Sequence, residues 1–493
     1  MKKAILAFTL ITSLCSTSLP VFAASNPETT ISHFEANSLI TSDGSYWVWG
    51  GQQSVPTQVH GIEDAVESFK SQLVEREDGS MVFVKRDPYL PTAITVHPIS
   101  GLRNVTSVHA SWNEFLATDH EGKVFVIPFA GISTAASPID AASPVAGLEQ
   151  VKKIASFYEV DEQYNHTSRW IFLKKDGTVW RNTSGLDGFE QVSSLSGIID
   201  IEENLALKED GTVWSFPLRP ASSNHPVKVE ELPPIRKIAT DERSYAAIDQ
   251  EGKLWFWGAT LTGASDATQV HHQTAPVQLT GIRNVANAYF IERSLIVLTG
   301  DQHLYATSIN REKMPADAKF ELLASGVSKV HYGTRHMIMQ KIDGTLWGWG
   351  VNKNAQLGLG DYEFMYNKPM PLQPPVTIVL NGKPVALTNG VIIRNGQTFI
   401  PLRSIFEQLE ATPTWNATNR TVTIERKKEG STPIKILVNY TTGKISVNDQ
   451  LVTLANDPFI VQGISYLPLR FISESLGAKV EWMKEQRKIV ITM

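Results

Sequence analysis

Histidine is the side chain best suited to bind a metal or move a proton near neutral pH, and this chain sets two side by side, His271-His272. Neighbouring residues on a strand point to opposite faces, so the pair would need distant partners to form a metal site. His331 and His336 stand in a glycine-containing segment before a turn; contact between repeats or a rim position is the expected role. There is no Gly-x-Ser-x-Gly, no His-Glu-x-x-His and no Gly-x-x-x-x-Gly-Lys-Ser/Thr. A nucleophile elbow, a zinc-hydrolase helix and a phosphate loop therefore have no sequence support. Acidic residues recur at Asp43, Asp78, Asp176, Asp210 and Asp343, each directly before a glycine, and turn formation accounts for them. No catalytic residue, cofactor or metal ligand is assigned. An active site assembled from distant loops stays open as an alternative.

The elements that would position such loops are repeats. Asp343-Gly344-Thr345-Leu346-Trp347-Gly348-Trp349-Gly350 is the cleanest copy. Gly252, Trp255, Trp257 and Gly258 form a second copy, and Gly44, Trp47, Trp49 and Gly50 a third. Each reads as a hairpin, in which an acidic-Gly turn feeds a strand with alternating large apolar residues. Weaker copies start at Asp78, Glu121, Asp176, Asp210 and near Gly300. β-branched stretches flank the hairpin on both sides, as in Ile235–Ala239 and Ala275–Leu279. A unit of four short strands at this period is that of a propeller blade. A single such sheet buries neither face, whereas stacked sheets bury both. The sequence thus predicts a mainly β fold with a propeller over 30–375. Eight candidate units are counted, and closure could divide one blade between the two ends.

Three insertions interrupt the pattern: Phe129–Pro144, Tyr158–Arg169 with Tyr158, Tyr164, His166 and Arg169, and Thr260–Gln273 with His271-His272. On a propeller rim they would build a binding surface or be ordinary variable turns.

Near residue 376 the period changes. Residues 381–424 align without gaps on 448–491 at an offset of 67, with 16 of 44 positions identical. The shared residues include Pro401/Pro468, Arg403/Arg470, Glu407/Glu474 and Trp415/Trp482. Each half predicts strands at Val385–Leu387 or Val452–Leu454, then a strand, a proline at the first turn of a helix (402–409 or 469–476), and a closing strand. Arg403–Glu407 and Arg470–Glu474 have i,i+4 spacing. A structural ion pair tying the helix to its neighbouring strand is the preferred reading over a repeated anion site.

Two family resemblances follow from these runs. His336–Gly360, with its Trp-Gly-x-Asn and Gln-Leu-Gly pieces, resembles the RCC1 (regulator of chromosome condensation) repeat family, whose members imply a propeller of seven blades. Several units lack the second family glycine, at Lys85, Pro128 and Pro217, which implies local blade variation. Asn395–Arg403 and Gly463–Ile472 resemble the copper amine oxidase N-terminal-like domain, also called a stalk domain, over 379–493. That region holds no histidine, so a histidine copper site within it is excluded.

The net charge of −5 argues against a general electrostatic grip on nucleic acid. Residues 1–23 read as an export signal. Lys2 and Lys3 precede an apolar run from Ala4 to Leu14, and Val21-Phe22-Ala23 offers a cleavage site. No other apolar run is long enough for a membrane span. The single cysteine, Cys15, falls inside the signal, and Leu14 before it disfavours lipid attachment. The expectation is a secreted or cell-envelope-associated protein, of a Gram-positive bacterium, without disulfides. It would bind an extracellular protein or an envelope glycan through its propeller and use the C-terminal domain as a spacer. The alternatives are an extracellular enzyme acting on polysaccharide or peptide, and a purely structural envelope protein. Oligomeric state and ligand are not encoded in any recognised motif.

Overall fold

A computed structural model describes residues 29–493 except 71, 87–93, 111–113, 129–140, 220–224, 265–266, 407, 410 and 427–432. The expected export signal with Cys15, most of the Phe129–Pro144 insertion, and Glu407 lie outside the described residues.

Eight four-stranded antiparallel sheets follow one another from Ile31 to Pro371, each built from four consecutive strands. We number them blades 1 to 8. Their first strands are Ile31–Glu35, Ala65–Phe69, Val105–Ala110, Val151–Val160, Ile198–Glu202, Ile235–Thr240, Val285–Ile291 and Val327–Tyr332. Eight blades match the eight units counted from the turns and exceed by one the seven that the family resemblance implied. No blade is divided between the ends. Closure is by packing: Phe34, Leu39, Trp47 and Trp49 of blade 1 share a core with Ile338, Leu346 and Leu357 of blade 8. A comparable apolar core separates each other adjacent pair. Backbone bonds join the ends too, as Gly51 N–H donates to the Asn354 carbonyl at 2.7 Å.

The repeated acid–Gly turn has a definite job. Asp78, Asp176, Asp210 and Asp343 each accept the backbone N–H two residues on, at 2.8–2.9 Å, an Asx turn that pre-forms the hairpin. Glutamate is one methylene too long for this. In the units that carry Glu121 and Glu251, the Asp two positions earlier takes over. Asp119 accepts from Lys123, and Asp249 accepts from Glu251 and Lys253. The second glycine is required by close approach. At Gly258 (φ +92°) a Cβ would stand 2.3 Å from the Arg243 carbonyl oxygen. Where Lys85 replaces that glycine, the third strand runs straight on and pairs with Thr95, so the sheet survives the loss.

The C-terminal domain intertwines its two halves. Gln397–Pro401 of the first half pairs antiparallel with Ile464–Pro468 of the second. Thr377–Leu380 of the first pairs parallel with Lys488–Thr492, the last strand of the second. The matching pairing in the other sheet is interrupted by an inserted strand, Ile434–Asn439, which lies between Thr421–Arg426 and Ile445–Val447. The helices run Leu402–Phe406 and Leu469–Ser475, shorter than expected. The predicted strand at Val385–Leu387 is not formed: only Lys383–Pro384 pairs, because the chain then turns in to bury Val385. In the second half Gln450–Val452 pairs, so the strand stops short of Leu454.

The domain docks on the outermost strand of blade 1. Gln53, Ser54, Val55 and Thr57 are buried there, whereas the outermost strands of blades 6 and 8 are largely exposed. Val55 packs into a cluster with Ile392, Phe399, Val461 and Tyr466.

Candidate functional site

The turns between first and second strands gather at one mouth of the central channel, because every blade runs in the same sense. Blade 1 brings Glu35 there, blade 2 Lys70, blade 5 Glu203, blade 6 Asp241 and Glu242, blade 7 Glu292 and Arg293, and blade 8 Tyr332 and Arg335. The cavity they enclose measures about 1330 Å³. Deeper in the channel, Glu67, His109 and Ser156 line its continuation.

Pairing accounts for much of this charge. Glu292 is held by Arg335, whose Nη2 donates at 2.9 Å. His331 Nδ1 lies 3.2 Å from Glu35. Lys153 bridges Asp200 and Glu202 of the next blade at 2.8 and 2.6 Å. The Lys70 ammonium sits over the Tyr332 ring, 5.0 Å from its centre. Glu203 and Glu242 instead lie beside each other at the mouth. Burial and the neighbouring Glu242 charge push the Glu203 carboxyl up to about 8. Burial raises Glu242 as well. His109 is driven the other way, down to about 4, by burial and by Lys70 and Lys153.

The carboxyl pair is positioned by the backbone. Glu203 and Glu242 both adopt left-handed φ, +48° and +72°, which aims them out of their hairpins. Tyr245 OH donates to the Glu242 carbonyl at 2.8 Å, and the Asn204 side-chain amide donates to Tyr245 OH at 3.0 Å. Tyr245 in turn stacks on Trp257, 5.4 Å between ring centres. A repeat tryptophan thus supports the turn that presents Glu242.

From Glu242 the mouth opens into a groove of about 680 Å³ across blades 4 to 6. Here the structure brings together two insertions that are remote in sequence: Tyr158 and His166 from one, Val270 and His272 from the other. Tyr158 and His166 meet edge to face, 6.3 Å apart. Tyr164 is 72% exposed, with the Arg219 guanidinium 5.7 Å from its ring centre. His271 points away from this company and bonds Thr262 Oγ1 at 2.7 Å. Arg169 is engaged with Glu159 at 2.6 Å. Among the described residues no group of three His, Cys, Asp or Glu is arranged to hold a metal ion. His336 is a blade contact, its Nε2 3.2 Å from the Ala36 carbonyl across the ring closure.

The repeat residues lie elsewhere. Gly44, Gly252 and Gly344 sit in turns at positive φ. Trp49, Trp257 and Trp349 are buried between blades, with Trp47 beside them, and Trp255 and Trp347 are partly buried. In the C-terminal domain Pro401 and Pro468 precede the helices, and Trp415 and Trp482 stay 45% and 42% exposed. The Arg470–Glu474 pair is loose, 3.9 Å and largely exposed, so it does not tie the helix to a strand. Glu203, Asp241 and Glu242 were passed over in the sequence because they lie outside the repeated turns. Their trace there is an acidic residue directly after the first strand of blades 4 to 7, namely Asp161, Glu203, Asp241 and Glu292.

Comparison with known proteins adds two matches. Residues 379–491 match the model for the Copper amine oxidase N-terminal domain, and residues 343–381 match that for the Regulator of chromosome condensation (RCC1) repeat. None of the curated proteins searched matches the chain. Solved structures with a similar course include human WBSCR16, at 16% identity and a TM-score of 0.40, covering 57% of this chain and 86% of that one. Yeast RCC1 (Prp20), bound to Kap60, aligns at 15% identity and a TM-score of 0.42, covering 64% and 90%. The chain is thus similar to two families in tandem, its last propeller unit to the RCC1 repeat and its C-terminal region to the copper amine oxidase N-terminal domain.

Proposed function

We propose that this is an exported, envelope-associated binding protein of a bacterium, whose propeller reads an extracellular protein or an envelope glycan. The observation that carries the reading is the trough described above. A charged channel mouth runs into a groove where the two insertions meet, and the aromatic and imidazole groups there lie on top of a rigid ring. Rigid presentation of a few polar and aromatic side chains is what a binding face requires. The C-terminal domain serves as a docked support that fixes the propeller's orientation. The test is retention of the full chain on isolated cell envelope, peptidoglycan and culture-supernatant protein. Retention that is lost in Tyr158→Ala/His272→Ala supports the reading; retention unchanged by that double variant removes the groove from it.

One observation favours a second reading. A carboxyl pushed up to about 8 beside another carboxyl is a poised general acid, the group that an extracellular enzyme acting on polysaccharide or peptide needs. Release of reducing sugar from envelope polysaccharide, abolished in Glu203→Gln, would establish it. Absence of turnover with retained binding leaves the binding role alone.

A further inference from the structure

We infer that the C-terminal domain has a ligand site of its own, a pocket beside Trp415 that takes a carboxylate-bearing glycan. The pocket encloses about 500 Å³ where the two halves meet, within the ~300–1,000 Å³ usual for small-ligand sites. The first half supplies Pro401, Arg403, Trp415 and Arg420; the second supplies the hairpin around Gln462-Gly463.

Three features point to a ligand. The first is the exposed indole. Trp415 rests against Tyr440 at 5.9 Å between ring centres, yet stays 45% exposed. Its counterpart Trp482, 67 positions on, is 42% exposed. A fold that needed only packing would bury so large an apolar ring, and both halves leave it out. The second is Arg420, which holds a left-handed φ of +50°, as its counterpart Arg487 does at +46°. Glycine or asparagine would relieve that conformation, so retaining arginine in both turns indicates use of its side chain. The third is chemical complementarity. Arg403 and Arg420 are forked donors suited to a carboxylate, and a flat aromatic face with apolar walls suits the C–H face of a sugar ring.

A peptide strand fits less well. The edge strand Thr412–Asn416 that borders the pocket contains Pro413, which withholds an N–H and blunts strand addition. The site is separate from the propeller groove and does not depend on what that groove binds.

The test is titration calorimetry of the full chain with trigalacturonate, with uncharged maltotriose alongside. The expected result is saturable trigalacturonate binding that weakens as salt rises, with maltotriose at least about tenfold weaker, a gap of roughly 1.4 kcal/mol. Trp415→Ala and Arg420→Gln should each weaken it about tenfold or more. Trp415→Phe, which keeps a ring and guards against a folding artefact, should retain most of it, and Tyr158→Ala/His272→Ala should leave it unchanged. No saturable binding, equal binding of maltotriose, or Trp415→Ala behaving as the parent would each overturn the proposal. Tighter capture of trialanine, lost in Trp415→Ala, would overturn the glycan assignment in favour of a peptide carboxylate.

Discussion

Asn389 holds Ser54 from two sides. Its Oδ1 accepts the Ser54 N–H at 3.1 Å and its Nδ2 donates to Ser54 Oγ at 3.0 Å. Both residues are buried, 335 positions apart. The pair joins the C-terminal domain to the outermost strand of blade 1. Next to it Gly390 N–H donates to Thr57 Oγ1 at 2.8 Å, and a Cβ at Gly390 would stand 2.0 Å from the Pro56 carbonyl oxygen. The domain is seated on the propeller rather than strung from it, and it covers an edge that would otherwise invite strand addition.

Asn389→Ala leaves the buried Ser54 N–H without its acceptor and takes a donor from Ser54 Oγ. The cost should be about 2–4 kcal/mol, read as a lower urea midpoint for the whole chain. An unchanged midpoint would mean that the docking does not contribute to stability.

Asp249 and Glu251 should differ sharply although both belong to one turn. Asp249 is buried, accepts two backbone N–H groups at 2.9 Å and receives the Trp255 indole N–H at 3.1 Å. Its replacement by Ala should cost about 2–3 kcal/mol. Glu251 makes an exposed contact with Lys253, so Glu251→Ala should fall within about 0.5 kcal/mol of the parent. Thermal melts of the two variants decide the matter, and equal losses would refute the assignment of the turn to Asp249.

Ring closure rests on Trp49, which is fully buried and donates its indole N–H to the Gln356 carbonyl at 2.8 Å. Trp49→Ala should cost about 3–5 kcal/mol and speed hydrogen exchange in blades 1 and 8 before the others. Uniform acceleration around the ring would show that closure is not the weak seam.

Glu203 gives the chain a pH signature. Its carboxyl titrates near 8 in the folded protein because of burial and Glu242, against an ordinary value near 4.3 when unfolded. Between those values the folded state binds the proton more tightly, so this group's contribution is full at low pH and is lost as pH rises towards 8. The melting temperature of Glu203→Gln relative to the parent should therefore climb from pH 5 to pH 8. A flat difference would show that Glu203 is ionised throughout.

Much of this architecture is legible in the sequence because it is local. The acid–Gly turn and the alternating tryptophans are each set by residues within about ten positions of one another, and the blade period shows as the return of that short unit. The duplication at an offset of 67 is visible for the same reason, since each half repeats its own strand–helix–strand grammar. Even the eighth blade could be counted, because each blade is made from one continuous stretch.

The tertiary structure decided what depends on non-local geometry. Glu203 and Glu242 belong to no chemical motif, and only the common sense of the blades brings them to one mouth, where burial and the Glu242 charge raise the Glu203 carboxyl. Tyr158 and His272, more than a hundred residues apart, become neighbours because blades 4 to 6 are adjacent in the ring. The seating of Asn389 on Ser54 joins residues 335 positions apart, and no short pattern encodes it. Periodicity reports which face a residue occupies, whereas a site is made by which faces meet, and that is settled only when the ring closes and the last domain packs against it.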